Sequence, residues 1–134
     1  MKVEETPQPA PGPAQVLVRI RAAGVNPADA YARSGNYATK PPVPYTPGSD
    51  GAGVVESVGP DVKSVKPGDW VYLARTVSGT YAEYALALEP QVQRLSEKIS
   101  LPQGAGIFVP YATAFRALSQ IARARPATGR RSCA

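Results

Sequence analysis

The stretch PYTPGSDGAGVVESVG, Pro44 to Gly59, decides how the fold is interpreted because it places four glycines around a short apolar run. A phosphate-binding fingerprint needs G-x-G-x-x-G between a buried strand and a helix, so that the phosphate meets the helix N-terminus. Here Gly51 and Gly53 are followed by VVE, and the third glycine is missing. The sequence therefore predicts that these glycines allow turns and close packing around a strand, GAGVVESVG.

Alternating patterns on both sides of this stretch predict further strands. QVLVRIRAAGVN alternates valine and isoleucine with arginine, TYAEYALALE alternates tyrosine and leucine with alanine, and VQRL makes a short strand. A tight turn at PGD, residues 67–69, leads into the strand WVYLA. A short helical turn is expected from Asn26 to Gly35, and the proline-rich KPPVPYTPGSD is a loop. From Ser100, a predicted N-cap, the spacing becomes helical. These elements predict a mainly β domain with one or two helices at its C-terminal end.

Composition limits the class of protein. The 134 residues are enough for one domain, and 15 prolines with 12 glycines favour a loop-rich β domain over a helical bundle. No apolar run is long enough to cross a bilayer, and the first residues resemble no secretory signal, so we expect no membrane partner. The single cysteine, Cys133, cannot form an internal disulfide, which favours the cytoplasm.

The net charge of +5 is concentrated at the C-terminal end. Five arginines and no acidic residue follow position 115, which leaves ten basic and ten acidic residues before it. We expect residues 124–134 to form a basic, disordered tail, because no aromatic residues are interleaved with the arginines as in a nucleic-acid-binding stripe. Contact of this tail with RNA is the less favoured alternative.

Zinc chemistry is excluded by the residues themselves. A catalytic zinc needs three protein ligands of the cysteine, histidine or carboxylate type, and a structural site commonly uses four cysteines. The chain has no histidine and one cysteine. We therefore expect no metal site.

Five segments resemble, in order and spacing, the medium-chain dehydrogenase/reductase superfamily, and most closely its zinc-independent quinone oxidoreductase branch, the zeta-crystallin group. They are GVNPADAYARSGNY, PYTPGSDGAGVVESVG, VKPGDWV, GTYAEYALA and PYATAFRAL. The resemblance implies that residues 1–123 form a GroES-like catalytic domain, a partly open β-barrel that in the family precedes a Rossmann domain. Zinc-dependent relatives place cysteine at the position of Asn26 and histidine at the position of Ser49.

The resemblance also implies a site and a cofactor, NADPH. Asn26, Asp29, Tyr31 and Tyr37 are expected to line the cleft for a quinone or enone, with Asn26, Asp29 and Tyr37 as the catalytic residues. Tyr31 and Thr113 match positions that lie against NADPH in relatives. Without the resemblance, each of these five residues has an ordinary structural interpretation, such as a packed tyrosine or a turn-forming asparagine. Because all five occur together in the order of the family, the functional interpretation is favoured over the structural one.

The chain departs from the family after FRAL, where relatives continue into the Rossmann domain. SQIARARPATGRRSCA follows instead, so we expect that domain to be absent and the chain to be inactive alone, with weak NADPH binding. An apolar patch around Phe108, Phe115 and Leu118 should then be exposed and favour self-association. The alternatives are an enone or enoyl reductase of the same superfamily, or a non-catalytic module that pairs with full-length subunits.

Overall fold

One antiparallel sheet of five strands organises the protein in a computed structural model that describes residues 2–38 and 41–124. The strand order is β4-β1-β2-β3-β5, and the sheet curls into a half-barrel. The strands are β1 (Gln15–Gly24), β2 (Asp50–Val58), β3 (Trp70–Ala74), β4 (Tyr84–Leu88) and β5 (Val92–Arg94). The mainly β, GroES-like fold expected from the sequence is confirmed, and the described residues contain no Rossmann domain.

The helices are short. They are α1 (Pro27–Arg33), α2 (Leu101–Gly104) and α3 (Phe108–Phe115), with a 3-10 turn at Glu89–Gln91 and a π-helical continuation of α3 at Arg116–Ile121. Ser100 caps α2 as predicted, because its hydroxyl accepts the Gln103 backbone N–H at 3.4 Å. The C-terminal helical region is therefore confirmed, and it is divided into three pieces. The predicted tail begins at Ala124 and otherwise lies outside the described residues.

The core lies on one face of the curled sheet and consists mainly of valines from β1, β2 and β3. In β4 the predicted alternation of tyrosine and leucine with alanine is present, and the alanines are the buried set: Ala85 and Ala87 are buried, whereas Leu88 is exposed. The register explains this, since Ala85 pairs with Val18 and Ala87 with Val16, and residues directly opposite each other share a face. The small side chains therefore face the interior.

The glycines of the opening stretch lie inside β2, with no helix directly after them. A methyl group on Gly51 would sit 2.9 Å from the Thr80 Cγ2 atom, and one on Gly53 would overlap the Arg19 carbonyl oxygen of β1. These contacts are closer than real side-chain atoms tolerate. The packing interpretation of the glycines is confirmed, and the phosphate-binding interpretation has no helix to support it.

Candidate functional site

The first half of the site is built where β1 ends and α1 begins. Asn26 precedes the helix, Pro27 starts it with a fixed φ, and Asp29 lies in its first turn. The Asn26 backbone N–H donates to Asp29 Oδ2 at 2.9 Å, and a carboxylate at this end of a helix is stabilised by the helix dipole. The local sequence NPAD therefore fixes the positions of both side chains.

Two hydroxyl groups from distant segments converge on the Asp29 carboxylate. The Ser49 hydroxyl donates to Oδ1 at 3.2 Å, and the Tyr81 hydroxyl donates to Oδ2 at 3.1 Å. Burial raises the pKa of Tyr81 to about 12, and the nearby negative charge of Asp29 acts in the same direction. The carboxylate thus ties α1 to the loops that precede β2 and β4.

A second carboxylate, Asp50, lies behind the first and is only 1% exposed. It accepts a hydrogen bond from Asn26 Nδ2 at 3.2 Å, and both of its oxygens lie 3.2 Å from the Val109 backbone nitrogen. Burial raises the pKa of Asp50, the hydrogen bonds from Asn26 and Val109 oppose that shift, and the charge of Asp29 adds to it. The buried side of the site is therefore a carboxylate enclosed by donors.

An open cleft of about 530 Å³ adjoins this network, a volume in the usual range for small-molecule sites. Its walls come from α1, the proline-rich loop and the loop between β3 and β4. Asp29, Tyr37 and Ser49 provide polar groups on its surface. Asn26 is 8% exposed and lies behind Asp29 rather than on the cleft wall. The structure thus places three predicted site residues in or directly behind one cleft.

The two residues predicted for cofactor binding lie elsewhere. Tyr31 projects from α1 with 55% of its surface exposed, and Thr113 lies on an exposed part of α3. Neither contributes to the walls of the cleft among residues 2–38 and 41–124. Their roles toward NADPH stay predictions.

Asp50 and Tyr81 are not among the site residues predicted from the sequence, although both lie within quoted segments. The sequence marks Asp50 only as a charged residue directly before the apolar run of β2, and its burial arises from the pairing of β2 with β1 and β3 and from the contact with Val109. Tyr81 has no local signal. It meets Asp29 across 52 positions of the chain, through the pairing of β4 with β1.

The polar groups do not suit zinc. No group of three or more histidine, cysteine, aspartate or glutamate side chains could hold a metal ion within the described residues. Asn26 and Ser49 are hydrogen-bonded to the two carboxylates. The cleft instead offers hydrogen-bonding side chains, such as those of Tyr37 and Ser49, and a volume that can hold a small organic ring.

The family model described as the alcohol dehydrogenase GroES-like domain matches residues 12–114. The chain belongs to this family. The GroES-like domain is 54% identical over 110 residues to the quinone oxidoreductase of Homo sapiens, covering 82% of this chain and 33% of that protein. The chain thus spans about a third of the length of the curated relatives it matches.

Solved structures of relatives have the same fold. The quinone oxidoreductase of Pseudomonas syringae aligns with a TM-score of 0.80 and 38% identity, covering 88% of this chain and 36% of that one. The Escherichia coli quinone oxidoreductase complexed with NADPH aligns with a TM-score of 0.79 and 34% identity, covering 87% of this chain and 35% of that one. These relatives place the GroES-like domain within the medium-chain dehydrogenase/reductase superfamily.

The last described helices carry exposed apolar side chains, which we call the apolar helix face. Phe115 is 64% and Leu118 58% exposed, whereas Phe108 is half-buried. The members of the face are Tyr111, Phe115, Leu118 and Ile121.

In the part of the chain that the structure describes, no helix is long and apolar enough to span a membrane.

Proposed function

We propose that this domain is the N-terminal catalytic part of an NADPH-dependent quinone oxidoreductase. The observation that carries the proposal is the 54% identity with the human quinone oxidoreductase over 110 residues. The Escherichia coli relative complexed with NADPH supports the choice of cofactor. The cytoplasm is the proposed location, in keeping with the single cysteine of the chain.

Bound NADPH supplies a hydride, and a quinone that receives it also needs a proton to become a hydroquinone. Asn26 keeps one Nδ2 hydrogen beyond the one donated to Asp50, and we assign it to the quinone oxygen on which negative charge develops. Because Asn26 does not line the cleft, this contact requires the quinone to reach past Asp29. Tyr37, exposed on the cleft, is positioned to orient the quinone and to donate a hydrogen bond. Asp29 orders the groups around it by accepting their hydrogen bonds.

Tyr31 and Thr113 are the residues we assign to the nicotinamide end of NADPH. Contacts to the adenosine and pyrophosphate would come from a Rossmann domain, and the described residues contain none. A polypeptide of these 134 residues should therefore be inactive by itself and bind NADPH with a Kd in about the millimolar range, near 4 kcal/mol of binding. Calorimetry that gave micromolar affinity would contradict this.

The reaction we propose does not use zinc. The support is the donor set, since the positions occupied by zinc ligands in metal-dependent relatives hold an amide and a hydroxyl here, Asn26 and Ser49. Elemental analysis of the purified chain should find no stoichiometric zinc. One zinc per chain would refute both the mechanism and the placement in the zinc-independent branch.

The test of function is a chimera in which the matched segment of this chain replaces the equivalent segment of the human enzyme. The chimera should oxidise NADPH with a naphthoquinone faster than with a conjugated enone, and the reverse order would favour the enone reductase. Asn26→Ala should lower kcat by about 10²-fold, as for an oxyanion-hole donor. Tyr31→Phe should chiefly raise the KM for NADPH.

Leu17→Ala is the control for general damage to the fold, because Leu17 is 1% exposed in β1 and belongs to no proposed site. It should lower the melting temperature and the activity together. If Asn26→Ala and Tyr31→Phe both left kcat and the NADPH KM within about twofold of the parent, the assigned roles of these residues would be wrong.

A further inference from the structure

Asp50 is a buried ionisable residue that none of the roles above uses. Its backbone is held from several directions, since it pairs with Gly24 of β1 and Ala74 of β3, and the Thr80 hydroxyl donates to its carbonyl oxygen at 2.8 Å. A methyl group on Gly24 would approach the Asp50 Cβ atom to 2.9 Å, so the two strands are closely packed at this point. The carboxylate therefore projects from a rigid position.

The donors around this carboxylate belong to two different parts of the site. One is the Asn26 side chain, which comes before α1, and the other is the Val109 backbone N–H in the first turn of α3. A carboxylate accepts hydrogen bonds but donates none, so it orients the Asn26 amide with Nδ2 toward Asp50. It also places negative charge at the positive end of the α3 dipole.

We propose that Asp50 is a positioning residue, which fixes the orientation of the Asn26 amide and anchors the start of α3 against β2. α3 carries Thr113, which we assign to the cofactor, and Asn26 is assigned to the quinone. The Asp50 carboxylate therefore sets the geometry of both Asn26 and α3. Only the kinetic consequence of this proposal rests on the proposed function. The hydrogen bonds themselves can be tested in the 134-residue chain.

The first measurement uses hydrogen exchange by NMR of side-chain amides. The chain has two asparagines, Asn26 and Asn36. Asn36 is exposed and donates only to the exposed Ser34 hydroxyl at 3.3 Å, so it serves as an internal reference. The Asn26 Nδ2 hydrogen that is donated to Asp50 should exchange at least about tenfold more slowly than the Nδ2 hydrogens of Asn36. Equal exchange rates in the unaltered chain would overturn the proposal without any substitution.

The variants separate the hydrogen bonds from general stability. Asp50→Leu removes both acceptor oxygens and should abolish the slow exchange at Asn26 and the protection of the Val109 amide, while β-sheet amides such as Val71 stay protected. Asp50→Asn keeps one oxygen and should restore most of the Asn26 protection. Asp61→Leu, at an exposed turn position, is the matched control and should change neither. Persistence of both protections in folded Asp50→Leu would overturn the proposal.

Kinetics in the chimera provide the second readout. Asp50→Leu should lower kcat about as much as Asn26→Ala, and the double variant should lose little more, because the two substitutions remove one unit. Fully additive losses would overturn the positioning role. A chimera without any quinone reductase activity would refute the proposed function, whereas the exchange experiment would still decide the role of Asp50.

Discussion

Substitution of Gly53 by alanine tests whether close packing explains the glycines of β2. An added Cβ would overlap the Arg19 carbonyl oxygen and lie 2.9 Å from its carbon and 3.1 Å from the Ile20 Cα atom. All three atoms belong to the backbone of β1, so no side-chain rotation can relieve the contact. β1 must move away from β2, which weakens the ladder at the pair formed by Ile20 and Gly53.

Overpacking in a tight core typically costs about 1–3 kcal/mol, and a collision with backbone belongs at the upper end. We therefore expect Gly53→Ala to lower the free energy of unfolding by about 3 kcal/mol, a large fraction of the roughly 5–15 kcal/mol of a typical domain. At this chain length, that loss corresponds to a fall of about 10 °C in melting temperature. Urea and thermal denaturation followed by circular dichroism measure both quantities.

Gly106→Ala is the matched control, since the nearest atom to its added Cβ is the Gln103 carbonyl oxygen at 3.6 Å, an ordinary contact. It should change the free energy of unfolding by about 0.5 kcal/mol or less. If Gly53→Ala were no more destabilising than this control, the packing argument would be refuted, and the reason for glycine in β2 would have to be sought elsewhere.

Three further outcomes follow from the structure. Tyr81→Phe removes the donor to Asp29 and should lower the free energy of unfolding by about 1–2 kcal/mol in urea denaturation. Tyr72→Phe is the control and should change the free energy of unfolding little, because the Tyr72 hydroxyl makes no hydrogen bond within the described residues. Because the pKa of Asp50 is raised in the folded state, its contribution to stability is complete below the ordinary value of 3.8 and is lost as the pH rises through the folded-state value. The unaltered chain should therefore lose stability relative to Asp50→Asn between acidic and neutral pH, and a constant difference would contradict the shift. Leu118→Glu places a charge on the apolar helix face and should reduce the concentration-dependent self-association that we expect of the chain in analytical ultracentrifugation; an unaltered chain that stays monomeric at high concentration would contradict that expectation.

The strands could be predicted because their signals are local. Alternation identifies β1 and β4, and the turn at residues 67–69 is specified by Gly68, which adopts a φ of +91°. Local reasoning does not decide which side of β4 faces the core. That depends on the register with β1, where Ala85 lies opposite Val18, and a register between distant strands leaves no mark in either segment alone.

The same distinction applies to the site. Asn26 and Asp29 could be predicted to lie together because an asparagine before proline, followed by an acid in the first turn, is a helix start. The contacts of Asp29 with Ser49 and Tyr81 join segments 20 and 52 positions away. They exist only after β1 has paired with β2 and β4, so no local pattern could reveal them.

The direction of these hydrogen bonds limits what the cleft can bind. Ser49 donates its hydroxyl proton to Asp29, so toward a ligand in the cleft its oxygen can only accept. A quinone offers acceptors alone and needs a donor, which the hydroxyl of Tyr37 on the cleft wall can supply. A hydroquinone carries O–H donors, and these match the accepting oxygen of Ser49. For the reaction proposed above, the same cleft would therefore hydrogen-bond the quinone through Tyr37 and the hydroquinone through Ser49.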